Sequence, residues 1–361
     1  MVSVNAIKFL DKYIGFLTCI ILSINKLFPK KSIETKNILL IQLWGLGESI
    51  LTLPTIKTLR EKYPKSKIDI LVTDRNKDVY FNNKNLDDTR VISLNPFAIK
   101  WFMLKNFRKY DLVIDMEEYL NISSIMSFSL GKNRIGYNHG VRSLLYTKTI
   151  PYNDKQHVVY TFLNLLKPLN IKLNVDKLSK LNYSSKNKKN IDNLLKKFNI
   201  GKKDFIVGIA PGAAESAKSR MWLVKNYAEL CNNILLNKKN KIIFIGNKYE
   251  GELIKKIQNS IKEKIRTFNT AGLFNLNGLF YLIEKCNLFI GNDTGPMHIA
   301  AAQGVKTIGL FGPNLPVRFG PYGKDNISVY KGHNCQYNPC INVHKGEVPN
   351  CLFAKNIEHF I

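Results

Sequence analysis

The chain has 361 residues, 45% of them apolar and 22% charged, which excludes a disordered tail or a fibrous repeat and leaves room for two ordinary domains. It carries 54 Lys and Arg against 27 Asp and Glu, a formal net charge of +27, which favours anionic partners: nucleotides, nucleic acid or an acidic membrane face. The six cysteines form no CxxC pair and no secreted-type framework. Cys19, Cys231 and Cys286 read as small core residues, while Cys335, Cys340 and Cys351 cluster near His333 and His344 as a local structural knot.

Residues 1–36 form a separate N-terminal segment around "YIGFLTCIILSI", residues 13–24. Twelve residues fall short of the roughly 20 that a spanning helix needs, and no small-residue cleavage site follows. Two readings stand: a helix packed on the protein's own surface, or an interfacial helix with basic flanks on an anionic leaflet.

From residue 37 apolar runs alternate with helical patterns. "NILLIQL", "KIDILVT", "TRVISL", "YDLVIDM" and "NRIGY" read as strands. The expected helices are "SILTLPTIKTLREKYP" from Ser49, "NISSIMSFSLG" and "QHVVYTFLNLLKPLN". Residues 171–190 turn polar and lysine-rich and read as a linker. A second alternation follows, with strands "DFIVGIAPG", "KIIFIGN", "NLFIGND" and "VKTIGLFGP". The expectation is an α/β chain of two Rossmann-like, doubly wound parallel sheets facing across a cleft, residues 37–180 and 181–361. Ligands of such sheets lie beyond the carboxyl ends of the strands, so the turns there hold the candidate residues.

"LIQLWGLGESILTLP", residues 40–54, has glycines at 45 and 47 but fails both the dinucleotide fingerprint and the P-loop. It is a tight turn that sets Glu48 at a helix start, and taken alone Glu48 reads as a helix-start acid. "GNDTGPMHIAAAQG", residues 291–304, offers Asp293 or Thr294 as a cap, Gly295 for close backbone approach and His298 one turn on. Its first-turn amides suit a diphosphate. "APGAAESAKSRMW", residues 210–222, keeps the loop small at Gly212 and brings Lys218 and Arg220, cations that fit a departing phosphate or a plain basic surface. Asp115, Glu117 and Glu118 end a strand, as acceptor-side groups or as a solvated acidic end.

These segments, in this order, resemble glycosyltransferase family 9, the ADP-heptose:lipopolysaccharide heptosyltransferases. The glycine-acid turn with Pro54, "PGA" with Lys218, Trp222 and "YAEL", and "DTGPMHIAAA" with "IGLFGP" carry the likeness. "DMEEYLNIS", "RIGY" and the closing "CQYNPC" add to it, over roughly residues 37–353. The resemblance implies a GT-B fold and an inverting transfer of heptose from ADP-heptose to a lipopolysaccharide-type, lipid-linked acceptor. It implies neither metal nor other cofactor. Glu48 stands where the family has a catalytic aspartate, longer in reach by about 1.5 Å. Lys218 falls on the phosphate lysine, with Arg220 sharing its role. Asp293 would contact sugar hydroxyls, and the amides at Thr294 and Gly295 would hold phosphates. The expected setting is cytoplasmic, at the inner face of the cytoplasmic membrane, with no nucleic-acid partner. Two rivals are a nucleotide-sugar epimerase on the same double fold and a non-enzymatic basic binder of nucleic acid or membrane.

Overall fold

In the computed structural model the described residues are 9–24, 35–173 and 175–330. The run "NILLI" forms β1 (Asn37–Ile41), with Ile38 to Ile41 buried on both faces, as a strand covered by helices on each side requires. With β2 (Lys67–Val72), β3 (Asp88–Val91), β4 (Tyr110–Asp115), β5 (Gly131–Tyr137) and β6 (Lys148–Ile150) it makes one sheet of order β3-β2-β1-β4-β5-β6. Every neighbouring pair is parallel. The helices of this unit are α1 (Phe16–Ser23), α2 (Leu46–Leu51), α3 (Leu53–Lys62), α4 (Pro96–Lys105), α5 (Asn121–Leu130) and α6 (Val158–Asn164).

One helix was expected from Ser49; two form, meeting at Thr52. Pro54 has no amide to continue the ladder across the junction. Gly45, at φ 76°, caps α2, so the helix begins three residues before Ser49 and Glu48 lies inside its first turn. Helix α4 was not anticipated, although Asn95 caps it through the Phe97 amide (2.9 Å) and Pro96 opens it.

The second unit repeats the plan. Strands β7 (Phe205–Ala210), β8 (Asn240–Phe244), β9 (Thr267–Asn269), β10 (Leu288–Asn292), β11 (Lys306–Leu310) and β12 (Ile327–Val329) order as β12-β11-β10-β7-β8-β9, again all parallel. Its helices are α7 (Ser185–Lys197), α8 (Val224–Leu235), α9 (Gly251–Asn259), α10 (Leu276–Glu284), α11 (Gly295–Gln303) and α12 (Pro316–Phe319). Each sheet therefore has the doubly wound order, with its switch point between β1 and β4 in one and β7 and β10 in the other.

The chain divides at Val175/Asp176, ahead of the expected 180/181. The reason lies in the lysine-rich stretch itself. Leu181 is buried and exchanges backbone bonds with the Gln303 side chain (3.0 and 3.2 Å), tying residues 176–184 to the second unit. The last six residues of the expected linker, 185–190, are helix: Ser184 caps α7 by accepting from the Asn187 amide, and lysines are good helix formers.

Cys19, Cys231 and Cys286 are buried free thiols, and burial pushes the latter two up to about 12. Cys335, Cys340, Cys351, His333 and His344 lie outside the described residues.

Candidate active site

In the first unit the turn after β1 sits at the switch point. Gly45 is held in the left-handed region, and a Cβ there would overlap Oε2 of Glu48. The carboxylate thus folds back over the helix start, partly exposed, in the position of a capping-box acid. A glycine is required at 45 for both reasons.

The turn is fixed from behind. Asn76 donates to the Gln42 carbonyl and to Ser49 Oγ, each at 2.8 Å. Thr73 Oγ1 donates to the Leu43 carbonyl at 2.9 Å, and Ser49 Oγ to the Gly45 carbonyl at 2.7 Å. Arg75 lies over the Trp44 ring, 4.4 Å from its centroid. A catalytic group on such a braced turn keeps its position without ordering cost at the moment of reaction.

The three acids after β4 are not a solvated strand end. Asp115 is 0% exposed and Oδ2 meets Arg142 (2.8 Å), Tyr146 (2.6 Å) and Ser123 (2.7 Å). Glu117 is 3% exposed, and its Oε1 accepts the amides of Leu43 (2.5 Å) and Trp44 (2.8 Å). Both are positioning residues, one for the strand end and one for the glycine turn. Glu118 is buried too and accepts from the Tyr152 hydroxyl at 2.9 Å. Tyr119, half-buried beside them, went unnoticed in the sequence. Burial and the Glu117, Glu48 and Glu118 carboxylates push its phenol up, so it stays a neutral donor.

Burial and the Asp115 charge raise Glu117 to about 8, against the pull of the two amides. Its unfolded value lies near 4.5, so the folded state binds the proton more tightly. The stabilisation is complete below about pH 4.5 and lost as pH rises through about 8. We expect the Tm to fall between about pH 4.5 and 8, and Glu117→Gln, which mimics the protonated acid, to flatten that slope. A pH series of thermal melts checks it; parallel curves would show that Glu117 does not titrate there.

In the second unit the turns after β7 and β10 meet at the other switch point. Asn292 Nδ2 donates to the carbonyls of Pro211 (2.8 Å) and Gly212 (3.2 Å), while its Oδ1 accepts from Tyr227 (2.9 Å). A Cβ on Gly212 would overlap the carboxyl of Glu250, which also crowds Gly246. Glu250, its pKa raised by burial, therefore stands between two strand-end turns. Sequence reading missed both Asn292 and Glu250; the capping-box spacing from Asn247 was the available signal for the latter.

Arg220 and Lys218 separate. Arg220 Nη1 donates to the Asp293 carbonyl (2.9 Å) and pairs with Asp293 Oδ2 (3.1 Å). Asn314 donates to that same Oδ2 at 2.7 Å. Arg220 thus clamps its loop to the end of β10, whereas Lys218 is exposed on the 3-10 turn Glu215–Arg220. Thr294 stands at the N-cap position of α11 without a side-chain cap; its Oγ1 donates instead to the Asn292 carbonyl (3.3 Å), and the first amides of the helix lie outside the helical ladder. His298 is buried in the first turn of α11. Trp222 packs edge-on to Tyr227 at 5.2 Å, a core contact. No group of three or more His, Cys, Asp or Glu among the described residues could hold a metal ion.

Lys218→Ala is expected to lower kcat/KM by about 10²-fold, as for loss of one charge on a developing anion, with an unchanged Tm. Arg220→Ala should instead lower the Tm, because Asp293 stays buried without its cation. Steady-state kinetics beside thermal melts distinguishes the two, and a reversed pattern would exchange their roles.

Residues 104–346 match glycosyltransferase family 9 (heptosyltransferase). The lipopolysaccharide core heptosyltransferase OpsX of Haemophilus influenzae is 27% identical over 319 residues, 82% of this chain and 85% of the relative. Lipopolysaccharide heptosyltransferase 3 of Escherichia coli K12 is 26% identical over 306 residues, 80% and 86% of the two chains. The solved glycosyl transferase family 9 protein from Veillonella parvula shares the fold at TM-score 0.74 and 22% identity, over 82% of this chain and 86% of that one. E. coli ADP-heptose lps heptosyltransferase II does so at TM-score 0.68 and 18% identity, over 90% and 96%. With two doubly wound sheets and a braced glycine-acid turn already in place, the match over most of its length makes this chain a glycosyltransferase and a member of family 9, the heptosyltransferases.

Proposed function

We propose that the chain moves heptose from ADP-heptose, with inversion, onto the core region of a lipopolysaccharide-type, lipid-linked acceptor. It works without metal or other cofactor, in the cytoplasm at the inner face of the cytoplasmic membrane, and has no nucleic-acid partner. The observation that supports this best is that relatives spanning over four-fifths of the chain are named as lipopolysaccharide or lipooligosaccharide heptosyltransferases. Family membership also ranks the epimerase and non-enzymatic readings below it.

In this reading Glu48 takes the proton from an acceptor hydroxyl as its oxygen bonds to the anomeric carbon. The bond from that carbon to the diphosphate oxygen breaks, and its electron pair leaves with ADP. Lys218 neutralises the departing diphosphate, and the amides at Thr294 and Gly295 receive its oxygens. Arg220 holds Asp293 by Oδ2, so Asp293 meets a sugar hydroxyl through Oδ1. Gly212 keeps the turn beside Glu250 low enough for the donor to approach, and His298 supports the phosphate turn from within α11. Glu118 and Tyr119 face the acceptor, while Asp115 and Glu117 hold the turn.

Calorimetry with ADP-heptose and UDP-N-acetylglucosamine, each with excess chelator, tests the donor. ADP-heptose should bind with chelator present and the uridine sugar should not. Binding only after a divalent ion is restored, or a preference for the uridine sugar, would contradict the reading.

A further inference from the structure

Among the described residues, the first unit carries an exposed apolar surface. The helical stretch through the π turn Asp11–Gly15 and α1 is anchored along one narrow stripe. Asp11 accepts the amides of Asn121 (3.0 Å) and Ile122 (2.7 Å) at the start of α5. Gly15 is buried, and Cys19 packs with Ile125 and Leu145. These anchors recur every four residues and define one face. The remaining circumference is also apolar, yet exposed, as at Ile14, Leu17 and Ile21, the last 63% exposed. A helix apolar on all sides is a helix that is covered on all sides in its working state.

Helix α4 repeats the pattern. Ile99 turns inward, while Phe97 (83% exposed), Trp101 (70%) and Leu104 face out. Met103 of α4 packs on the cluster that holds Cys19, so both helices flank one patch of α5. The charges around them have one sign. Residues 95–109 hold Lys100, Lys105, Arg108 and Lys109 and no acid. The one acid of residues 9–24, Asp11, is turned inward onto α5. No helix among the described residues is long and apolar enough to cross a membrane.

We propose that α1, its π turn and α4 together form a docking face that inserts into the surface of an anionic lipid bilayer. Apolar side chains with an aromatic at their centre enter the acyl boundary, and the lysines beside them meet anionic headgroups. The proposal rests on the reading that the acceptor is lipid-linked, since such a substrate lies in that plane.

The full chain is mixed with vesicles of phosphatidylcholine, alone or with phosphatidylglycerol. We expect cosedimentation with the anionic vesicles, falling about tenfold with neutral vesicles or high salt. Brominated acyl chains should quench emission, and Trp101→Phe should remove that quenching. The triple change Phe97→Ser, Trp101→Ser and Leu104→Ser should cut binding by about tenfold or more. Transfer to a soluble, delipidated acceptor oligosaccharide should be unchanged. Three outcomes would overturn the proposal: unaltered binding in the triple variant, equal binding to neutral vesicles, or a lipid-free dimer that the same changes dissociate. Intact vesicle binding with no transfer to any heptose acceptor would refute the proposed function and leave the docking face standing.

Discussion

Glu48→Gln is expected to lower kcat by about 10²–10⁴-fold, the range for loss of a general base, and to leave the Kd of ADP-heptose unchanged. The amide keeps the size of the side chain and its place over Gly45, so the turn survives while the proton acceptor is gone. Glu48→Asp is the companion variant. It restores the carboxylate that the family pattern carries, with about 1.5 Å less reach, and should recover much of the rate lost in the Gln variant. Single-turnover kinetics, with enzyme in excess over donor and acceptor saturating, separates chemistry from binding. Full activity of the Gln variant would remove Glu48 from the mechanism.

Arg142→Met is expected to have the largest effect on stability. Arg142 is wholly buried and pairs with Asp115, which has no exposure of its own. It also donates to the Glu117 carbonyl at 2.5 Å and to Tyr146 at 2.7 Å. Removing one partner of such a pair leaves an uncompensated buried charge and costs about 3–5 kcal/mol. For a unit of this size that lowers the Tm by roughly 10 °C. Asp115→Asn added to it removes the stranded charge and should recover part of the loss. A melt within about 2 °C of the parent would mean that the pair is not what fixes the end of β4.

The parallel sheets were legible because their strands are buried on both faces and so read as unbroken apolar runs. The edge strands β6, β9 and β12 are three residues each and gave no such run. Helix α4 escaped because its outer face is as apolar as its inner one, which erases the period that marks a helix; the Asn95-Pro96 start remained as a signal. Glu48, Lys218 and Asp293 stand out as candidates in the sequence because each lies in a segment that follows a strand. What single residues could not disclose was their partners. Arg220 looked like a second phosphate cation until Asp293 claimed it, and Glu117 looked like a ligand until the Leu43 and Trp44 amides did. Both pairings span more than 70 residues of chain, beyond the reach of local pattern.

Transfer of heptose to a lipid-linked acceptor is tested most directly by product analysis. The purified chain is incubated with ADP-heptose, with and without core-truncated lipopolysaccharide, in the presence of chelator, and both sugar and lipid are examined by mass spectrometry. One heptose is expected to be added per ADP released, with the anomeric configuration inverted and donor left intact when acceptor is omitted. A nucleotide sugar isomerised without acceptor, or an acceptor unchanged while Glu48 is intact and donor bound, would contradict it.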